Sequence, residues 1–290
     1  MVLRSLASAA QRTVLCSFHR RMVLIGNHGP IVSFTFDDFP RTAYVVAGHI
    51  LESFGARGTY YIAPNLMGTY TGVGEICNAE DLRSLLEKGH ELGTQTLHHL
   101  SSRKLSPQAF RLDVEHGILE AEQMAGRQAR NFSYPYGHVT LGTKKHLESV
   151  VSSSRSIFPG INGPEIDLNL LRANKLYGDM SGAPHVERLI QQNVAQKGWL
   201  IFYTHDVRPN PSEYGSTPEL FEFAVSAAAQ SGSRILTVDQ LLSEIASGTS
   251  PRSADVENGA AATSGTKMMC SVAPYRTVTL RANMGYEPPT

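Results

Sequence analysis

Ile31-Val32-Ser33-Phe34-Thr35-Phe36-Asp37-Asp38 is an apolar, strand-type run that ends in two adjacent carboxylates. Strand interiors are poor in Asp, so the pair marks the point where the chain leaves the core for a loop of the kind that carries function. Neighbouring carboxylates in a dry site ionise together only if a cation or a proton is shared between them. The pair therefore points to a metal ion, a substrate proton, or both. The plainer use of the same residues is to cap a helix that begins near Thr42.

Outward from this strand, strand-like and helix-like segments alternate from Pro30 to Ile245. Val45, Val46, Ile50 and Leu51 recur at helical spacing and predict a helix over 43–54. Strand-type runs follow at 58–63, 91–96, 131–134, 150–157, 170–176, 199–204 and 234–238. Helices are expected between them at 79–88, 107–124, 141–148, 184–196, 217–230 and 239–245. Asn78 and Gly89 frame one helix, Gly126 closes another, and Thr217-Pro218-Glu219 opens a third. This alternation predicts an α/β fold of parallel strands with outer helices, closed or nearly closed as a distorted (β/α) barrel. An open doubly wound sheet is the alternative. It would carry a Gly-rich phosphate turn after its first strand, where this chain has Asp37-Asp38-Phe39-Pro40.

The bulk numbers exclude several classes. Lys+Arg and Asp+Glu balance at 26 each, so no global charge argues for nucleic acid or an acidic membrane as partner. A hydrophobic share of 41% with 18% charged residues fits a globular chain with a substantial core. Cys16, Cys77 and Cys270 are odd in number and widely spaced, which fits neither a disulfide framework nor a zinc–thiolate site. Residues 1–29 form an extension with Arg4, Arg12, Arg20 and Arg21 and no acidic residue. Its apolar runs are too broken for a secretory signal or a membrane span, so a cytoplasmic place is expected. Organelle targeting shares its Arg-rich character, and a surface helix packed on the domain is the other reading. The main domain is expected over 30–247. Residues 248–290, rich in Ser, Thr, Ala, Gly and Pro, read as a disordered tail.

The remaining polar signals share one topological position. Asp37 and Asp38 follow the first strand. Gln95, His98 and His99 follow the strand at 91–96, Tyr134-Pro135-Tyr136-Gly137 follows the strand at 131–134, and His205-Asp206 follows the strand at 199–204. In a parallel barrel the C-terminal strand ends open on one face, where active sites form. Taken singly, each cluster is most simply a turn, a cap or a satisfied histidine. Four at four such ends make a site.

These motifs, in this order, resemble the polysaccharide deacetylase family, also called the NodB-homology or carbohydrate esterase family 4 group. Thr35-Phe36-Asp37-Asp38 is similar to its first motif, Gly89-His90-Glu91-Leu92-Gly93-Thr94-Gln95-Thr96-Leu97-His98-His99 to its second, Phe132-Ser133-Tyr134-Pro135-Tyr136-Gly137 to its third, and Trp199-Leu200-Ile201-Phe202-Tyr203-Thr204-His205-Asp206 to its last. The resemblance implies a distorted (β/α) barrel and hydrolysis of non-peptide C–N bonds, by metal-assisted N-deacetylation of a saccharide. Asp37 would be the general base and His205 the general acid. Asp38 and His99 would hold the metal. The Pro135-Tyr136 turn would contact substrate, the peptide N–H near Tyr136 holding the oxyanion.

The chain departs from the pattern at three places. Gln95 stands where the family has a second ligand histidine. A site of Asp38, Gln95 and His99 with waters would bind its divalent metal, zinc or a harder ion, less tightly. His98, the immediate neighbour of His99, would point elsewhere on a regular element. Ser133 stands where an Arg often contacts the base, so the base is expected to lack a cationic partner there. The carboxylate that tunes the acid histidine is not recognisable, Asp167 and Asp206 being the candidates, and 155–162 reads as a loop lining the site. The expected substrate is a saccharide or small amide. A metal-independent amidohydrolase of a linear or cyclic amide, and a catalytically silent carbohydrate-binding domain, are the alternatives.

Overall fold

The computed structural model describes residues 11–248. The expected tail, with Cys270, lies outside them. β2 (Ile31–Phe36) sits inside a parallel sheet of eight strands. Along this sheet β10 (Asn174–Lys175) pairs with β11 (Trp199–Thr204), then come β2, β3 (Thr59–Ile62), β6 (Glu91–Thr94), β7 (Asn131–Ser133) and β8 (Ser153–Arg155). β12 (Arg234–Ile235) pairs with the lower half of β2, at Ile31 and Val32, while β3 takes its upper half from Thr35. Short antiparallel pairs, β1 (Met22–Leu24) with β9 (Glu165–Asp167) and β4 (Tyr70–Thr71) with β5 (Gly74–Glu75), stand outside the main sheet.

The sheet curls, and the seam between β8 and β11 is crossed by the chain around 168–175. Leu171 N donates to Ser154 O and Ser156 N to Leu171 O, both at 2.9 Å, on one side of this segment. On the other side β10 pairs with Phe202 and Tyr203. The strand expected at 170–176 is therefore present as a short strand plus a bridge. Around the sheet run helices 11–17 (α1), His49–Ser53 (α2), Ala79–Glu87 (α3), Pro107–Ala125 (α4), Leu141–Leu147 (α5), Ala183–Gln196 (α6), Pro218–Gln230 (α7) and Val238–Ser247 (α8).

Period-two alternation decides what faces where. Val32, Phe34 and Phe36 of β2 face outward into the main core, Phe34 and Phe36 lying 5.4 and 5.6 Å from Phe221 of α7. Ser33 and Thr35 face the other way, and Ser33 Oγ accepts from Trp199 Nε1 at 2.8 Å. Gly93 of β6 is required here. A Cβ at this position would lie 2.6 Å from the Tyr61 ring and 2.7 Å from Asn131 O.

The barrel interior is accordingly polar and closed at its lower end. Glu91 accepts from Asn131 Nδ2 at 2.6 Å, from Thr59 Oγ1 at 2.7 Å and from Asp239 N at 2.9 Å. The last donor comes from the first turn of α8, which β12 delivers beneath the sheet.

Residues 11–29 pack on this domain. Leu15 and Ile25 are buried, β1 pairs with β9, and the buried Lys144 Nζ donates at 2.8 Å both to Leu15 O and to Asp167 Oδ2. Among the described residues no helix is long and apolar enough to cross a membrane.

Candidate active site

The inward register of β2 continues one residue past the strand, so Asp37 enters the barrel mouth and is only 6% exposed. Asp38 and Phe39 then adopt left-handed backbone, at φ 62° and 53°. Such positions cost of order 1–3 kcal/mol for a non-glycine residue. Burial of the Phe39 ring, 5.0 Å from that of Tyr60, offsets this. The turn separates the two carboxylates. Asp37 meets side chains of the interior, and Asp38 meets two histidines.

Three donors converge on Asp37 Oδ1. Gln95 Nε2 lies at 2.7 Å, Ser133 Oγ at 3.1 Å, and Arg155 Nη2 closes the set. Arg155 Nη2 also donates to Ser133 Oγ at 2.5 Å. Its guanidinium is fully buried and lies between the rings of Tyr61 and Tyr203, 5.1 and 5.0 Å from their centroids. Burial opposes its charge, but Asp37 and Tyr61 outweigh that and hold Arg155 above its ordinary pKa. The expectation of a base without a cation is therefore corrected. The cation is absent at Ser133 and arrives from the neighbouring strand. Arg155, which falls both in the strand expected at 150–157 and in the loop expected at 155–162, is the last residue of β8. Ser153-Ser154-Arg155 has no apolar rhythm, and only the in–out–in register of a strand would have pointed Arg155 inward.

Asp38 faces outward from this cluster. Its Oδ1 lies 3.1 Å from His99 Nε2 and its Oδ2 4.0 Å from His205 Nε2. Oδ1 is buried and has no hydrogen-bond donor, because the His99 contact lacks donor geometry. Two ligand atoms that share a small divalent ion at about 2.1 Å stand about 3.0–3.4 Å apart. The Asp38–His99 pair fits one edge of such a site. Gln95 does not extend it through its amide N–H, which is on Asp37. No group of three or more His, Cys, Asp or Glu that could hold a metal occurs among the described residues.

α4 positions the histidine loop. Gly117 lets the helix touch the chain at Thr96–Leu97, where a Cβ would come within 2.4 Å of Thr96 C. Asp113 O accepts from Leu97 N at 2.9 Å, and Asp113 Oδ1 pairs with His98 Nδ1 at 2.5 Å. His98 is thus turned to the helix, and His99, at φ 55°, to Asp38.

His205 Nδ1 lies 3.2 Å from the carbonyl oxygen of Tyr214. A carbonyl only accepts, so Nδ1 carries the proton and Nε2 faces Asp38. Neither candidate carboxylate serves His205. Asp167 binds Lys144 and the Arg21 N–H, and Asp206 binds Arg208 Nε and Ser212. The buried Asp206 instead shapes the loop that carries Tyr214.

The Pro135–Gly137 turn forms the last wall. Pro135 is buried, whereas Tyr136, left-handed at φ 58°, is 59% exposed with its ring 4.6 Å from that of His99. Burial, and then the Asp38 charge, push the Tyr136 phenol above its ordinary pKa.

The family model described as Polysaccharide deacetylase matches residues 25–150. Over that stretch, which holds the turn after β2, the histidine loop and the Pro135–Gly137 turn, the chain is similar to the polysaccharide deacetylases. The fold resembles that of the Xyl-CE4 domain of a multidomain xylanase from the hindgut metagenome of Trinervitermes trinervoides, at 17% identity and a TM-score of 0.52 over 78% of this chain and 94% of that one. The T48 deacetylase with substrate is similar at 18% identity and a TM-score of 0.49, over 74% and 92% of the two chains. A family 4 acetyl xylan esterase from Clostridium thermocellum, in complex with a cobalt ion, is similar at 19% identity and 0.48, over 74% and 91%. No curated protein matches the chain.

Proposed function

We propose that the domain hydrolyses the acetamido bond of an N-acetylated saccharide, with Asp37 as general base, His205 as general acid, and a divalent ion held by Asp38 and His99. The observation that carries this reading is the division of the strand-end pair. All the hydrogen bonds to Asp37 fall on Oδ1, which leaves Oδ2 for a water proton. Asp38 keeps a buried oxygen without a donor beside His99.

In the reaction Oδ2 of Asp37 takes a proton from water as the water oxygen attacks the acetyl carbon. His205, protonated on Nε2, gives that proton to the nitrogen as the C–N bond breaks, so acetate and the free amine leave. Arg155, Ser133 and Gln95 hold the Asp37 carboxylate still. The Tyr136 peptide N–H is the donor that the family pattern assigns to the developing oxyanion. A divalent ion, when bound, supplies polarisation of the acetyl carbonyl and a more acidic water.

The Gln95 amide on Asp37 favours a second reading, an amide hydrolase that uses Asp37 and His205 without a tightly held ion. One experiment separates the two. Bound metal is quantified in the purified protein, and acetate release from N-acetylglucosamine oligomers is followed with and without a chelator. Chelator-sensitive release supports the first reading, and release indifferent to chelator supports the second. Oligomer binding without turnover removes both.

A further inference from the structure

Beside the Tyr136 turn lies a group of cations that the proposed chemistry does not use. The loop between β6 and α4 is pinned there by two hydrogen bonds. Ser101 Oγ meets His138 Nδ1 at 2.7 Å, and Ser102 Oγ donates to His138 O at 2.8 Å. The next two residues, Arg103 and Lys104, are exposed. Among the described residues neither pairs with a carboxylate. Burial, then Arg103 and Lys104, hold His138 below its ordinary pKa, and no acidic group opposes them.

This ledge is contiguous with the reacting groups. The His138 ring lies 5.8 Å from that of Tyr136, and Tyr136 lies 4.6 Å from His99. The wall beside His205 differs. It presents Tyr214, 46% exposed, with Glu213 next to it. The cation of that loop, Arg208, is paired with Asp206, so a ligand crossing the mouth meets unpaired positive groups on the Tyr136 side. Unpaired exposed cations attract anions weakly one by one and additively as a cluster. A half-exposed aromatic ring supplies the apolar surface on which the body of a ligand rests.

We propose that Arg103, Lys104 and His138 form a subsite for an acidic group, a carboxylate or a phosphate, carried by the sugar that adjoins the acetylated one, with the Tyr136 ring beneath that sugar. The inference rests on the deacetylase reading for the identity of the neighbouring site. It makes the preferred substrate an anionic N-acetylated oligosaccharide rather than a neutral one.

The test compares three oligomers of equal length: neutral N-acetylglucosamine units, the same chain with a lactyl carboxylate on alternate units, and the same chain with a 6-phosphate. Acetate release and equilibrium binding are both measured, for the natural protein and for a double variant, Arg103→Ser with Lys104→Ser. The acidic oligomers are expected to bind and react better than the neutral one, with an advantage that shrinks as salt is raised. The double variant should lose about threefold to tenfold on the acidic oligomers and leave the neutral one unchanged. Whether carboxylate or phosphate gains more names the source of the charge. Equal binding of neutral and acidic oligomers by the natural protein overturns the subsite, as does an equal loss on both in the variant. Failure of acetate release from all three, with the binding difference intact, overturns the deacetylase reading and keeps the subsite.

Discussion

Two buried carboxylates sit at opposite ends of the same barrel interior, and each accepts three hydrogen bonds. Glu91 at the lower end accepts from Asn131, Thr59 and the Asp239 N–H, all neutral. Asp37 at the mouth accepts from Gln95, Ser133 and the charged Arg155. The Glu91 donors are spread over both oxygens, whereas those of Asp37 crowd onto one. Burial pushes Glu91 above its ordinary pKa despite its donors. The lower cluster ties strands β3, β6 and β7 to the first turn of α8. The upper cluster fixes one oxygen and leaves the other without a side-chain donor. Donor count alone therefore separates nothing. The presence of a cation, and the distribution of donors over the two oxygens, distinguish the carboxylate proposed as base from the one at the lower end.

The largest effect expected from this contrast is at Arg155. Arg155→Met leaves Asp37 buried and uncompensated, at a cost of about 3–5 kcal/mol, read by urea unfolding. Adding Asp37→Asn should recover much of that loss. A single variant as stable as the natural protein would show that the ion pair contributes nothing net. Next comes Glu91→Gln. Its new amide N–H₂ competes with donors, and about 1–3 kcal/mol should be lost while turnover per folded molecule is unchanged. A fall in turnover at full folding would erase the distinction between the two ends.

A smaller effect follows from His90, just before Glu91. Its Nδ1 accepts from Gly58 N at 3.0 Å, and burial holds it below its ordinary value of 6.5, though Glu52 pulls the other way. The folded state thus favours the neutral ring. The stability it contributes is present above the unfolded value and is lost as pH falls through the folded one. Thermal unfolding followed from pH 7.5 to 5 should show a loss of about 1 kcal/mol, the worth of one buried hydrogen bond, that His90→Gln does not share. Smallest for the fold is Gln95→His, expected to stay within about 1 kcal/mol. An imidazole there completes a two-histidine, one-carboxylate set, so metal affinity by calorimetric titration should rise. Unchanged affinity would confine position 95 to Asp37.

Most of the barrel was legible in the chain. The apolar runs at Ile31–Phe36 and Trp199–Thr204 and the capped helices at Ala79–Glu87 and Pro218–Gln230 carry local signals strong enough to survive packing. The paired Asp37 and Asp38, with His99 and His205, were legible because each follows such a strand. Arg155 was not, because Ser153-Ser154-Arg155 is polar throughout and its inward direction comes from pairing with β7. The family resemblance alone makes Gln95 a ligand candidate. The resemblance brings it to the site without revealing that its N–H faces Asp37. β1 and β9 carry no local signal because they pair only with each other, 143 residues apart in the register of Val23 with Ile166.

The segment before the barrel sets a practical limit on where the chain can be cut. Arg21 spans the end of α5, donating to Glu148 O, Val151 O and Ser152 O at 3.1, 2.9 and 2.5 Å, while Leu15 O takes one proton of the buried Lys144. A protein trimmed to start at Pro30 would strand that ammonium with one acceptor fewer and bare the backbone edge of β9. Exposed edges of this kind recruit strands from other molecules. An expression boundary drawn by motif alone would thus trade a self-covered fold for a sticky one, although every residue of the candidate site would still be present.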